Sequence, residues 1–361
     1  MTSDEQLNQV RERINTIDAE LLRLICERAS CAQDVAKIKD AHGEAVKYYR
    51  PEREAEILRR IKLQNPGPLD GEEVARLFRE IMSACLALEK PLEIGYLGPA
   101  GTFTQAAALK HFGHSVHTQP FGAISDIFRE VEAGACDYGV VPVENSTEGV
   151  VNHTLDMFMR SPLLIAGEVT LRIHHHLLST ATEIGAIRRV YSHQQSLAQC
   201  RGWLDRALPN AERIAVSTNA DAAKLAAGDP QAAAVASEAA AELYSLRVMA
   251  QRIEDEPGNT TRFLVIGPED SPPSGHDKTS MLLSCRNEAG ALHRLLSPFA
   301  NQGISMTRIE SRPSRQGVWD YVFFVDVSGH RAAPDVAKAI TELRGAANLC
   351  KVLGSYPEAV L

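Results

Sequence analysis

VVPVENSTEGVVNHTLD, residues 140–156, decides how this chain is read. An apolar strand-forming run leads into Glu144, Asn145, Ser146 and Thr147, then Gly149 and a helix-like segment. A plain turn needs one or two residues that can hydrogen-bond their own backbone. Four together predict a surface that grips something polar. Strand, polar turn and helix form one unit of an alternating α/β domain, and the flanking sequence repeats the unit. LEIGYLG (92–98), a helix from Gln105 to Phe112, YGVVPVE (138–144), RVYSH (189–193), AAVAS (233–237) and TRFLVIG (261–267) follow one another, with helical segments between the strands.

The pattern ends at GPEDSPPSGHD (267–277), whose Pro, Gly, Ser and Asp content predicts a linker. Beyond it KTSMLLSCR (278–286), a helix from Gly290, ISMTRIESR (304–312), WDYVFFVDV (319–327), a helix near 333–344 and CKVLGSY (350–356) give the order βαββαβ. That is the ferredoxin-like arrangement.

Toward the N-terminus the texture is helical. Leu7, Val10, Ile14, Ile17, Leu21, Leu24 and Ile25 recur at steps of three and four, and neither Pro nor Gly occurs before Gly43. The spacing predicts a first helix over 4–41, a second over 52–64 ending at NPGP (65–68), and a third from Asp70 to just before Pro91. Asp70 and Glu73 have capping-box spacing. At 1.5 Å per residue the first helix is roughly 57 Å long, more than two shorter helices can cover, so a second copy of the chain is expected along it. Three domains follow, at 1–92, 93–268 and 278–361, with no internal repeat or low-complexity segment.

Composition limits function. A 361-residue chain with 44% hydrophobic and 23% charged residues is globular. A net charge of −8 offers no basic field for nucleic acid or an anionic membrane, so small molecules or proteins are the expected partners. Cys26, Cys31, Cys85, Cys136, Cys200, Cys285 and Cys350 are odd in number and include no Cys-x-x-Cys pair, which predicts reduced thiols. MTSDEQLNQVRER lacks the apolar segment of a signal peptide and no 18 apolar residues run together, so a cytoplasmic location is expected. HHH (174–176) has no nearby Cys or acid to complete a metal site, and GPAGTFT (98–104) lacks the Gly-Lys-Ser/Thr of a nucleotide loop. No metal and no cofactor are expected.

Arg28 and Lys39 are eleven residues apart, which puts them about 20° apart on the helical wheel and roughly 16 Å apart along it. Two long side chains can converge on a ligand across that gap. Arg11 lies about 100° off that face and can reach the same ligand only from another protomer.

In VRERI (10–14), LICERASCAQDVAKIK (24–39), YRPERE (49–54) and ACLALE (84–89) the first ninety residues resemble the all-helical chorismate mutases, whose sites are shared between intertwined subunits. The resemblance implies that Arg11 of one chain and Arg28 of the other hold the substrate carboxylates, that Lys39 contacts the ether oxygen, and that Glu52 receives the ring hydroxyl. Tyr48 stands where an aspartate often sits, Pro51 where an arginine does, and Cys85 where a serine is common. Glu89 replaces a glutamine that donates to the ether oxygen. Such a pericyclic reaction needs no nucleophile, only a folded dianion and a stabilised breaking C–O bond.

GYLGPAGTFTQAA (95–107), VPVENSTEGVVNHTLD (141–156), HHHLLS (174–179), YSHQQSLAQC (191–200) and NTTRFLVIG (259–267) resemble prephenate dehydratase, in order. The fold implied is two α/β lobes around a cleft, like periplasmic binding proteins. Prephenate must lose its C4 hydroxyl as water and its ring carboxylate as CO2. The resemblance places the Thr261 hydroxyl at C4 and Glu144, Asn145, Ser146, Thr147 and Gln195 around the ring. Gly98–Thr104, with Thr102, would present helix N-terminal N–H groups to a carboxylate. Arg262 would pair either with a carboxylate or within the protein.

Finally NEAGALHRLL (287–296) and TRIESRPS (307–314) resemble the ACT regulatory module. The implied ligand is phenylalanine, an allosteric inhibitor bound between two such domains, near Gly290, Ala291 and Leu292 and framed by Glu310, Ser311, Arg312, Pro313 and Ser314. Together the three resemblances imply a homodimer or higher oligomer that converts chorismate to prephenate and then to phenylpyruvate. Dehydration of arogenate, and binding of aromatic acids without turnover, are the alternatives. If the last domain is separable, removing 278–361 should spare some dehydratase turnover.

Overall fold

The computed structural model describes residues 3–41, 48–286, 288–313 and 321–361; Ser314 lies outside them. Three helices come first: α1 (Ser3–Ala41), α2 (Pro51–Gln64) and α3 (Gly71–Glu89). Asp70 caps α3, but its carboxylate accepts from the Glu72 N–H at 2.8 Å, and Glu73 pairs with Arg76 instead of closing a capping box. Leu7, Val10, Ile14, Ile17, Leu21, Leu24 and Ile25 of α1 are each 40–56% exposed. Within one chain the stripe that makes α1 amphipathic meets no partner over most of its length, as the long-helix argument anticipates.

The first lobe contains β1 (Glu93–Leu97), α4 (Phe103–Phe112), β2 (His117–Phe121), α5 (Ile124–Glu132), β3 (Tyr138–Asn145), β4 (Gly149–Val150), α6 (Asn152–Phe158) and β5 (Leu164–Arg172). The second contains β6 (His176–Ser179), β7 (Arg189–His193), α7 (Gln194–Gln199), α8 (Arg201–Ala207), β8 (Glu212–Val216), α9 (Asn219–Ala227), β9 (Ala232–Ala236), α10 (Glu238–Leu243) and β10 (Arg247–Ala250). The chain then returns as β11 (Thr260–Gly267) to the first sheet, whose order is β2-β1-β3-β11-β5 with β4 on β3. The second sheet runs β10-β6-β9-β7-β8. Two crossings between the lobes, near residues 173–175 and 251–259, leave a cleft between the sheets.

The last domain is β12 (Asp277–Ser284), α11 (Ala291–Asn301), β13 (Met306–Pro313), β14 (Tyr321–Ser328), α12 (Pro334–Ala346) and β15 (Leu349–Pro357), in sheet order β13-β14-β12-β15. The βαββαβ expectation holds, with β13 at the edge.

The segment 267–277 is no free tether. Ser271, Ser274 and Asp277 are buried; the Ser271 carbonyl accepts from His330 Nε2 at 2.8 Å and the Ser274 carbonyl from Arg59 at 3.1 Å. One apolar core joins Phe128, Phe158, Leu264 and Ile266 of the first lobe to Leu282, Phe324, Leu353 and Tyr356 of the last domain. At Gly354 the approach is so close that a Cβ would lie 2.3 Å from the Ile165 carbonyl oxygen. Removing 278–361 would therefore strip one face of the dehydratase-like sheet to water. Such exposure weighs against the expectation that turnover survives the truncation.

The other face of that sheet packs on α4 in a core of Ile94, Val140, Val169, Phe263 and Val265 that also takes in Tyr49 from the helical domain. Tyr49 Oη lies 2.9 Å from His111 Nε2 on α4. The C-terminal Val360 and Leu361 pack on Leu58, Ala75 and Met82 between α2 and α3.

Candidate active sites

A cavity of about 530 Å3 opens between α1, α2 and α3, lined among others by Arg28, Lys39, Tyr48, Arg53, Glu54, Cys85 and Glu89. Arg28 and Lys39 share it, as their helical spacing requires. Lys39 Nζ donates to Glu89 Oε2 at 3.3 Å and stands 5.3 Å from the centre of the Tyr48 ring. Arg11 lies on the exposed part of α1, outside this lining.

Glu52 must be corrected. It does not line the cavity; it is buried, accepts from Arg50 Nε at 2.7 Å, and its Oε2 has no hydrogen-bond partner among the described residues. Two residues along a helix rotate the side chain by about 200°, so Glu54 faces the cavity where Glu52 cannot. Glu54 bonds the buried Arg79, and burial raises its pKa against the opposing charges of Arg79 and Arg28. For the same reason the cavity arginine of α2 is Arg53, so Pro51, which opens the helix, marks no missing cation. The signal is present in the sequence as Arg-Glu at 53–54, two places beyond Pro51 and Glu52.

The interlobe cleft, about 480 Å3, answers the question posed by residues 144–147. Asn145 on β3 and Thr261 on β11 are register partners, and both line the cleft. Asn145 Nδ2 donates to Thr261 Oγ1 at 2.7 Å and to Asn259 Oδ1 at 2.9 Å, while Asn145 Oδ1 accepts the N–H groups of Thr147 and Glu148, both at 3.0 Å. The amide thus folds the turn and fixes the hydroxyl. With a lone pair of Oγ1 engaged, the Thr261 O–H is left to donate into the cleft.

Neighbouring positions on a strand face opposite ways, and Glu144 and Arg262 illustrate it. They are also register partners, but neither lines the cleft. Glu144 pairs with Arg308 of β13 at 3.0 Å. Arg262 donates to Glu168 at 2.8 Å, Asp326 at 2.6 Å and the Tyr356 hydroxyl at 2.9 Å. The cleft roles expected of Glu144 and of Arg262 as a substrate clamp are therefore corrected: one step along each strand turns both side chains to the last domain. Ser146 and Thr147 also fall outside the cleft lining; Ser146 Oγ accepts the Thr260 N–H at 3.0 Å and so secures the turn.

Gln195 lines the cleft from the second lobe and donates to Glu148 Oε2 at 3.2 Å, and Gln199 Nε2 donates to Glu148 Oε1 at 3.2 Å. Glu148 is thus held by two amides from across the cleft. Gln199 Oε1 receives Asn259 Nδ2 at 3.2 Å and lies 2.8 Å from Nε2 of His175, whose pKa burial lowers. Glu148, Gln199, Asn259 and His175 were not singled out by sequence reasoning. All four lie inside motifs already quoted, but only the fold brings them together around Asn145.

Among the described residues no Lys or Arg lines the cleft. Positive potential comes instead from backbone: Thr102 caps α4, His193 caps α7, Thr218 caps α9 and Ser237 caps α10, and all four line the cavity. In the last domain Gly290, with φ +76°, stands at the start of α11 beside Ala291 and Leu292, and Glu310–Pro313 end the edge strand β13. No group of three His, Cys, Asp or Glu that could hold a metal ion occurs among the described residues, and no helix there is long and apolar enough to cross a membrane.

Comparison with known proteins bears on all three regions. Family models match for Chorismate mutase type II at residues 10–90, Prephenate dehydratase at 94–271 and the ACT domain at 279–345. The chain is 58% identical over 365 residues to a bifunctional chorismate mutase/prephenate dehydratase of Pseudomonas aeruginosa, covering 100% of both. Among solved structures, prephenate dehydratase from Arthrobacter aurescens in complex with L-Phe is similar at 34% identity and TM-score 0.69, covering 74% of this chain and 90% of that one. GqqA, a quorum quenching acylase, reaches TM-score 0.68 at 29% identity over 74% of this chain and 98% of its own. The fold alone does not select a reaction.

Proposed function

The chain belongs to the bifunctional chorismate mutase/prephenate dehydratase family, and we propose that the cavity around Arg28 and Lys39 carries its mutase reaction and the cleft around Thr261 its dehydratase reaction. The enzyme rearranges chorismate to prephenate and converts prephenate to phenylpyruvate, under feedback control by phenylalanine.

In the mutase cavity Arg28, with Arg11 supplied by a second protomer, grips the two carboxylates. Lys39 donates to the ether oxygen as the C–O bond breaks, and Glu54 accepts the ring hydroxyl. Holding the dianion folded and stabilising the developing charge account for the catalysis such a reaction needs. The exposed stripe of α1 favours an intertwined homodimer, because a second α1 would cover it and deliver Arg11 at once.

In the cleft the C1–carboxylate bond of prephenate breaks to give CO2, its electrons aromatise the ring, and the C4–O bond breaks. The departing oxygen takes a proton and leaves as water. Thr261 donates a hydrogen bond to that oxygen, Asn145 orients Thr261, and Gln195 and Gln199 contact the ring from the other lobe. The pyruvyl carboxylate lies toward the N-termini of α4 and α9. The departing carboxylate meets no cation, so its charge is not stabilised where it must be lost. The single observation that carries the assignment is the Asn145–Thr261 register pair, which orients the Thr261 hydroxyl in a cleft with no Lys or Arg among its described lining residues.

Phenylalanine binds between paired last domains near Gly290–Leu292 and Glu310–Pro313, where β13 is an edge strand able to meet another copy. The test is product analysis of the purified full chain with chorismate, prephenate and arogenate supplied separately. Phenylpyruvate is expected from the first two. Phenylalanine formed from arogenate at a greater rate would overturn the substrate assignment, and binding without turnover would overturn the enzymatic one.

A further inference from the structure

The backs of the two cleft strands meet the regulatory sheet in an alternating set of charges. Glu144 and Arg262 are register partners on β3 and β11; Arg308 and Asp326 are register partners on β13 and β14. Across the interface Glu144 pairs with Arg308 at 3.0 Å and Arg262 with Asp326 at 2.6 Å. Glu144 and Arg262 each stand one residue from a member of the Thr261–Asn145 pair. A second contact lies beyond the turn: Arg312 donates to the Asn152 carbonyl and to Asn152 Oδ1, both at 2.8 Å, and lies 3.1 Å from Asp156. Two arginines four residues apart on one edge strand therefore hold the two ends of the segment 144–152 that carries Asn145 and Glu148.

We propose that Arg308 and Arg312 are positioning residues for dehydration, clamping the cleft turn from behind so that the regulatory strand β13 forms part of the dehydratase site. Neither touches the cleft. They act through Glu144 and Asn152, whose placement sets where the Asn145 amide holds the Thr261 hydroxyl and where Glu148 meets the glutamines of the second lobe.

The clamp has a second arrangement available to it. Arg308 is 11% exposed, its Nε engages Glu144, and its buried Nη2 has no hydrogen-bond partner among the described residues. A guanidinium fork matches both oxygens of a carboxylate, so a small shift of β13 along Glu144 would turn the one-point contact into a two-point one. A ligand that favours one position of β13 would then bias the cleft turn through a contiguous contact rather than over a distance. This last step rests on the reading of the domain as a phenylalanine sensor; the positioning role does not.

The experiment is a double-mutant cycle in the full chain with Arg308→Gln, Glu144→Gln and the double variant, with Arg308→Lys as the conservative control. Each single variant should lower dehydratase kcat by about tenfold while KM changes less than twofold, with mutase activity unchanged as evidence of folding. The double variant should lose no more than either single one, because the pair acts as a unit, and Arg308→Lys should recover part of the loss. In calorimetry phenylalanine should bind the variants as it binds the parent while its half-inhibiting concentration rises at least about fivefold. Additive losses, or singles with unchanged kcat and inhibition, would overturn the proposal. If Arg308→Gln does not fold, Glu144→Gln decides alone, since its side chain is 41% exposed and tolerant of change. Should the parent itself fail to bind phenylalanine, the sensor reading falls, and a non-additive loss of kcat still upholds the clamp.

Discussion

The mutase cavity and the dehydratase cleft have similar volumes, about 530 and 480 Å3, and opposite linings. The first gathers Arg28, Lys39, Arg50 and Arg53; the second has no Lys or Arg among its described lining residues. The substrates do not explain this, because both are dicarboxylates. The reactions do. A rearrangement keeps both carboxylates, so cations that bind them cost nothing at the transition state. A decarboxylation must lose one, and a cation paired with it would stabilise the ground state instead. The two sites also differ in completeness: the cleft is walled by two lobes of one chain, whereas the proposed mutase site takes Arg11 from a second chain laid along the exposed stripe of α1.

The largest effect is expected where the comparison is sharpest. Thr261→Ala removes the hydroxyl that Asn145 orients and should lower dehydratase kcat by about 10²–10³-fold, the usual loss for a donor aimed at developing charge, with mutase activity within about twofold of the parent. Arg28→Ala should do the reverse. Following prephenate and phenylpyruvate separately in each variant checks it. Loss of both activities in folded Thr261→Ala protein would mean that the sites are not separate.

Completeness is tested next. Ile17→Asp places a carboxylate in the exposed stripe of α1 and should dissociate the chains there. By sedimentation the mass should fall, mutase activity should fall by at least about tenfold as Arg11 is lost from the partner's cavity, and dehydratase activity should change least. A dissociated variant with full mutase activity would show the cavity to be complete in one chain.

What the sequence made legible follows from period and from length. The three domain textures, the long α1 and the βαββαβ order could be read because each rests on many residues. The choice of single side chains went wrong where one or two positions decide a face. On α2 a two-residue offset exchanged Glu52 for Glu54, about 200° away; on β3 and β11 one step separates Asn145 and Thr261, in the cleft, from Glu144 and Arg262, behind it. The cross-lobe contacts of Glu148, and the packing of the last domain through Gly354, depend on which surfaces meet and have no local signature.

A smaller effect should appear in stability at the joint between the two regions. His111, buried beside Tyr49, has its pKa lowered by burial, and next by the Arg79 charge, to about 3. The unfolded chain takes up this proton near pH 6.5 and the folded one does not until about pH 3. Stability is therefore fully present above pH 6.5 and declines as pH falls through that window, by about 2 kcal/mol at pH 5 from this group alone. The drop in Tm between pH 7 and pH 5 should be smaller in His111→Gln than in the parent. Equal slopes would mean that His111 is protonated in the folded protein.

The smallest effect concerns Glu89, which with Glu54 sets an acid among the cations of the mutase cavity. It accepts from Lys39 at 3.3 Å, yet the family resemblance implies a glutamine at this position that donates to the ether oxygen. A carboxyl can donate only when protonated. With a dianion bound, Lys39 has the ether oxygen as a competing acceptor. Mutase kcat should then decline as pH rises, whereas Glu89→Gln, a donor at every pH, should give a flatter profile with kcat at low pH changed only a few-fold. Measuring kcat and kcat/KM for both enzymes between pH 5 and 9 decides the matter. A variant that keeps the parent's profile would place Glu89 outside the reacting geometry, leaving Lys39 as the donor to the ether oxygen and making Glu89 a structural partner of that lysine.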